Sequence, residues 1–206
     1  MSFISLNFVV LFACTFILYH TLPSRFRKAT LLTASCLFIG FYHLAFLITA
    51  LILTLTTFYL GKWIGQAKRE SGMKGIYFSG VCFLVVSWLA FRYADRLTNC
   101  HILFPLGISF YTFQAISYLT EIYWQEEEPE KSLPDFMIYM LFFMKFLSGP
   151  IERASDMLPQ LKSCKATDYT SMVYGMRLIV VGLIKKLILA DSIAPYIDGV
   201  FGSVYT

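Results

Sequence analysis

"FMIYMLFFMKFLSGPIERASDMLPQ", from Phe136 to Gln160, is apolar up to Met144 and then carries Lys145, Glu152, Arg153 and Asp156. Proline lacks an N–H and fits the first helical position. The spacing therefore predicts one helix ending near Leu147 and a second starting at Pro150. Glu152 would fall in that helix's first turn, where the dipole favours a negative charge. Ile151, Ala154, Ser155 and Leu158 would share one face, and Glu152, Arg153 and Asp156 the other. Pro159 discourages continuation. Broken backbone is tolerated in hydrocarbon only against protein or around water. Two readings remain: the short helix lies in the membrane interface with its charges in water, or it lines a polar cavity cut into the membrane.

The rest of the chain makes a membrane the relevant solvent. Of 206 residues, 57% are hydrophobic and 15% charged, with a mean hydropathy of +0.64. A soluble domain carries about 25% charged residues. The net charge of +4 is small and lies at segment ends, which suits a bilayer and not nucleic acid. Cys14, Cys36, Cys82, Cys100 and Cys164 are scattered without a C-x-x-C, so neither a disulfide framework nor a metal site is expected. At the N-terminus the positive charges Arg25, Arg27 and Lys28 follow the apolar run. That order predicts a retained anchor with its positive end cytoplasmic and the N-terminus outside.

The fold class expected is all-α: a polytopic helical membrane protein of about six or seven helical segments, some short or re-entrant, forming one region from 1 to 206. Phe3–Tyr19 is the first apolar run. Ala29–Gly61 is long for one span and short for two, and basic residues border both ends. It predicts a helical pair broken between Gly40 and His43, with a single tilted helix as the rival. Gly75–Tyr93 is a clean span, followed by "ADRLTNCH" as an outside loop. Ile102–Trp124 is the next apolar run. The acidic loop "QEEEPEKSLPD" is expected to be cytoplasmic and unburied, with Glu126–Glu128 solvated. Phe136–Leu147 is too short to span, and Ser171–Ala190 is another span. The Gly61–Gly65 spacing fits a close-packing motif, but at a segment end beside Lys62 a chance match is the simpler reading.

In "FPLGISFYTFQAISYLTEIYW" (Phe104–Trp124) polar residues recur through an aromatic helix. Gln114, Ser117 and Glu121, three and four apart, share a face. Such residues pair with a neighbouring helix or face a wet cavity.

Together, "PLGISFYTFQAISYLTEIY" and "FLSGPIERASDMLPQL" resemble the membrane-bound O-acyltransferase family, in its bacterial alginate O-acetyltransferase-like branch. "GLIKKLILADSIAPYIDGVF" is similar to the next stretch of that family's members, and "ASCLFIGFYH" is a weaker match. The resemblance implies the N-terminal half of a multi-span enzyme in the bacterial inner membrane. Such an enzyme would pass an acyl group, typically acetyl, from a thioester or protein-bound donor to a hydroxyl of an exported or cell-envelope polysaccharide. The donor would be acyl-CoA, acyl carrier protein or an acylated partner, used as co-substrate with no bound cofactor. The family's presumed base is a histidine in an R-W-H-type stretch, which does not occur in these residues. His20, His43 and His101 lack its flanks, so no catalytic residue is assigned. The chain alone is expected to be inactive and to need a C-terminal half. Ser109, Gln114 and Glu121, with Glu152 and Arg153, are the candidates for cavity lining and substrate positioning. The alternative is a membrane scaffold or permease-like protein without chemistry.

Overall fold

The computed structural model describes residues 6–67, 69–98, 107–146, 149, 151–163 and 168–202; at 94–98 and 198–202 it describes the backbone alone. All regular structure among them is helical. In chain order the helices are α1 (Leu6–Thr21), α2 (Ser24–Tyr42), α3 (Leu44–Gln66), α4 (Glu70–Thr98), α5 (Ile108–Tyr123), α6 (Leu133–Leu141), α7 (Ala154–Ser163), α8 (Tyr169–Ile184) and α9 (Asp191–Gly202). A π-helical stretch, Lys185–Ala190, joins the last two. The chain forms two compact units, Met1–Cys164 and Lys165–Thr206.

This is a membrane protein by the chemistry of its outer faces. α3 and the Glu70–Tyr93 part of α4 are long and apolar enough to cross a bilayer. Ile48, Ile52, Tyr59 and Trp63 run down the exposed side of α3, while Ala50, Leu53, Phe58 and Ile64 fill its inner side. A helix apolar all round is one whose outside meets lipid. Hydroxyls within these helices turn back onto their own backbone: Thr54 and Thr57 donate to Ala50 O and Leu53 O, each at 2.7 Å. No water is needed to satisfy them.

The broken pair expected between Ala29 and Gly61 is present, with its break at His43. His43 is extended, and its Nδ1 accepts the Ala45 N–H at 3.4 Å. The puzzle of length resolves because both helices run on into their polar flanks. α2 begins at Ser24, before the basic residues, and α3 continues to Gln66. At about 1.5 Å per residue, α2 is then about 29 Å and α3 about 35 Å long.

Three boundaries differ from the sequence expectation. Ala94–Thr98, expected in a loop, continues α4. The helix expected to end near Leu147 stops at Leu141, and its successor starts at Ala154, so Glu152 precedes the helix and does not lie in its first turn. Pro159 lies inside α7. There it leaves the Ser155 carbonyl without its helical donor and crowds it, and the helix ends four residues later. Pro105 and Pro150 lie outside the described residues.

The Gly61–Gly65 pair is also a contact and no accident of spacing. A Cβ on Gly61 would stand 2.7 Å from Tyr118 Cε1, and one on Gly65 would collide with Pro129. The two glycines let α5 and the acidic loop lie directly on α3. At the core of Met1–Cys164, Phe38, Phe58, Tyr118, Phe136, Tyr139 and Phe143 meet between α2, α3, α5 and α6.

Lys165–Thr206 is a separate unit. α8, the π-helical stretch and α9 are exposed along their described residues except at the half-buried Val173 and Gly175, and Asp191 pairs with Lys186.

Candidate functional site

The polar face of α5 and the segment from Lys145 to Met157 come together because α6 and α7 form a hairpin that enters and returns on one side. α6 starts with Ser132 Oγ accepting the Asp135 N–H at 3.4 Å, and Pro134 lies in its first turn. It then runs antiparallel to α5. Phe136 packs on Tyr118, with centroids 4.6 Å apart; Gln114 Nε2 donates to Tyr139 O at 2.8 Å; Phe146 stacks on Tyr111 at 5.5 Å. Gly107, at φ +72°, abuts the Phe146 carbonyl at the far end of α5. After this tip the chain returns. The Lys162 ammonium reaches Glu130 Oε2 at 2.7 Å, next to where α6 began.

α2 runs parallel to α6 and fixes the same entry side. Lys28 Nζ lies 2.7 Å from Asp135 Oδ1, and eight residues along α6's direction the Phe143 N–H donates to Ser35 Oγ at 3.2 Å. A helix leaves its last carbonyls unpaired. Ser35 takes the amide that would have continued α6, and Gln114 supplies the donor that Tyr139 O would have lacked. These two side chains explain why α6 stops at Leu141 despite an apolar sequence that could continue it.

The acidic loop is therefore only partly solvated. Glu126, Glu127 and Glu128 are exposed as expected. Glu130 and Asp135 are buried, contrary to the expectation that this loop could not be. Their partners Lys162 and Lys28 arrive from α7 and α2, a pairing that local sequence does not reveal. Glu130 also accepts the backbone N–H groups of Lys131 and Ser132, each at 2.9 Å. Its hydrogen bond to Lys162 is the main reason the Lys162 ammonium is held above the usual lysine range.

Of the five candidates, four converge. Gln114 and Glu121 are buried on α5, and Ser117 Oγ donates to Glu121 Oε1 at 3.1 Å. The Ser155 N–H and the Arg153 charge act on the Glu121 carboxylate from the returning segment. Among the described residues, Glu121 Oε2 is buried with no hydrogen-bond partner of its own. Glu152 is tied to the same network: its carbonyl accepts Tyr139 Oη–H at 3.0 Å, and its carboxylate pairs with Lys145 at 3.2 Å. Ser109 stands apart. It accepts the Trp88 Nε1–H at 3.0 Å and so joins α5 to α4.

Lys145 and Tyr139 are the members that sequence reasoning left without a role. Lys145 is 7% exposed, with its ammonium also 3.0 Å from Met157 Sδ and over the Tyr139 ring at 4.6 Å. A lone cation in "FFMKFL" was the available signal, since a charge inside an apolar segment has a partner or a function. The face expected for α7 is observed in part: Ala154, Met157 and Leu158 are buried, while Ile151 is exposed with Glu152, Arg153 and Asp156.

The histidines keep ordinary places. His20 packs on Phe16 with centroids 4.5 Å apart, His43 caps α3, and His101 lies outside the described residues. No group of metal-binding side chains occurs among the described residues. Two apolar grooves of about 450 and 380 Å³ lie along the α1–α2 seam, lined by residues such as Leu11, Cys14 and Leu37. Neither touches the five candidates.

The chain aligns along 98% of its length with probable alginate O-acetylases named AlgI, at 31% identity in Azotobacter vinelandii and 30% in Pseudomonas aeruginosa. A peptidoglycan O-acetyltransferase of Helicobacter pylori is 26% identical over 84% of the chain. The chain belongs to the membrane-bound O-acyltransferase family, in its alginate O-acetylase-like branch. No family profile and no solved structure matches it. The chain spans less than half the length of these relatives: 44%, 42% and 40%, respectively. In this chain the structure brings Gln114 of α5 and Glu152 together on Tyr139.

Proposed function

We propose that the chain forms the N-terminal part of a polysaccharide O-acetyltransferase of the inner membrane, with the α6–α7 hairpin and α5 walling the path of transfer. The donor would be a thioester or an acylated protein, and the acceptor a hydroxyl of a cell-envelope or exported polysaccharide. The observation that carries this reading is the network from Gln114 through Tyr139 to Glu152 and Lys145. It fixes a charged, irregular segment against the polar face of a deeply buried helix. In this reading the basic ends of α2 and α3 face the cytoplasm and the N-terminus lies outside. The chain by itself is inactive, since a general base near neutral pH, the usual role of histidine, is assigned to none of its residues.

Labelled acetyl donor supplied to membranes holding the chain alone, and then holding it together with the C-terminal remainder of the Azotobacter relative, tests the proposal. Transfer only in the second preparation supports it. Transfer by the chain alone would overturn the inactivity, and transfer by neither would favour the scaffold.

That scaffold reading has one observation in its favour. Gln114 and Ser109 make their hydrogen bonds to protein groups, as helix-pairing residues do.

A further inference from the structure

The Lys145–Glu152 pair is asymmetric in a way that a structural ion pair does not require. The cation is sunk in the protein, while the carboxylate side chain is 45% exposed. Lys145 has three donor hydrogens and three neighbours to take them: Glu152 Oε2 at 3.2 Å, Met157 Sδ at 3.0 Å and the face of Tyr139 at 4.6 Å. It has nothing left to offer a ligand. Glu152 does. It lies on non-helical backbone, residues 151–153, yet it is fixed twice. Its carbonyl is held by Tyr139 Oη, and its carboxylate is held by Lys145 through one oxygen. Tyr139 is anchored in turn by Gln114. A half-exposed group whose carbonyl and carboxylate are both locked by buried partners has the arrangement of a pre-organised contact residue with a supporting shell.

We propose that Glu152 accepts a hydrogen bond from a hydroxyl of the carbohydrate acceptor, and that Lys145 is the positioning residue that aims it. The assignment rests on the proposed transfer reaction. The choice of ligand comes from charge. The pair is neutral as a whole, so it gives no net attraction to the phosphates that a coenzyme A or phosphopantetheine donor carries. Arg153, the adjacent cation, acts on Glu121. What remains at Glu152 is the acceptor capacity of Oε1, for which the described residues supply no partner. A sugar hydroxyl is the complementary donor. The location agrees. Ser155, three residues on, faces Glu121 near one end of α5, and Phe146, next to Lys145, packs at Gly107 at the other. Glu152 thus sits beside the middle of α5, linked through Tyr139 to Gln114.

The test measures acetyl transfer in the preparation that holds the chain with the C-terminal remainder of the Azotobacter relative. Alginate oligosaccharide and acetyl donor are varied separately for wild type, K145M, K145R and E152Q. The same oligosaccharide is titrated calorimetrically into each full chain to read binding without turnover. The expected result is a rise of about tenfold in the oligosaccharide KM and Kd for K145M and E152Q, an amount set by one lost hydrogen bond. The donor KM stays constant, and K145R recovers part of the loss. Folded K145M and E152Q proteins with oligosaccharide KM and Kd within about twofold of wild type would overturn the assignment, as would a rise confined to the donor KM. A wild type that binds oligosaccharide through Glu152 but transfers nothing would sink the enzyme reading and uphold this site. A wild type that transfers while E152Q behaves normally would do the reverse. Absence of both binding and transfer would overturn both.

Discussion

Lys162 Nζ lies 2.7 Å from Glu130 Oε2, across the mouth of the α6–α7 hairpin. The carboxylate is buried and the lysine half-exposed. This contact joins the residue that leaves the hairpin to the loop that enters it. It makes the hairpin a closed element with both ends on one side.

The contact has a defined pH signature. Glu130 raises the Lys162 pKa above its unfolded value. A raised lysine stabilises fully below the unfolded pKa, about 10.4, and loses that contribution as pH rises through the folded value. The stability difference between wild type and K162M should be constant from about pH 6 to 9 and shrink above about 10.4. Thermal unfolding in detergent at several pH values reads it; a difference that disappears at neutral pH would contradict the pairing.

Filling the α3 glycines should be costly. Gly61→Val and Gly65→Val would drive side chains into Tyr118 and Pro129, losing about 1–3 kcal/mol each. Tyr118→Leu in the Gly61→Val background should recover part of the loss, as a double-mutant cycle would show. Equal stability of wild type and Gly61→Val would rule out the close α3–α5 approach.

Gln114→Leu leaves Tyr139 O without its donor and should cost about 1–3 kcal/mol, the penalty for an unsatisfied buried group. Ser109→Ala frees only the half-buried Trp88 indole, so its effect should be smaller. Unfolding curves for the two variants compare them directly, and a larger loss at Ser109 would reverse their assigned roles.

Glu152→Ala strands the buried Lys145 ammonium and should cost about 3–5 kcal/mol. Lys145→Met is milder, because Glu152 is exposed enough to be hydrated. The double variant Lys145→Met/Glu152→Leu should regain most of the stability without regaining acceptor binding. Recovery of both would reduce the pair to packing.

Periodicity and breakers made much of the fold legible. The His43 break, the clean span in α4 and the shared face of Gln114, Ser117 and Glu121 come from residue type and local spacing. Ion pairs between distant elements are a different matter. Nothing near Glu130 announces Lys162, and nothing near Asp135 announces Lys28, so the acidic loop reads as wholly solvated when two of its carboxylates are buried. The end of α6 is likewise set from outside, by Ser35 and Gln114, which is why an apolar run to Leu147 overstates its length. The end of α5 is set locally, but by a residue with weak preference for the role. Gln125 adopts φ 59°, and the N–H groups of Gln125 and Glu126 return to Ile122 O and Glu121 O, both at 3.0 Å. This is the left-handed helix stop usually made by glycine. Glu121 thus closes the helix with its carbonyl and faces the returning segment with its side chain.

The most direct measurement places single cysteines at Ser132 and Ser163, in a background without the native cysteines, and labels them with a membrane-impermeant thiol reagent in right-side-out and inverted vesicles. Both positions should react from the same side, the one that also exposes a cysteine at Arg25. Reaction of Ser132 and Ser163 from opposite sides would mean that α6 and α7 cross the membrane between them, and the polar wall built on their return would not exist.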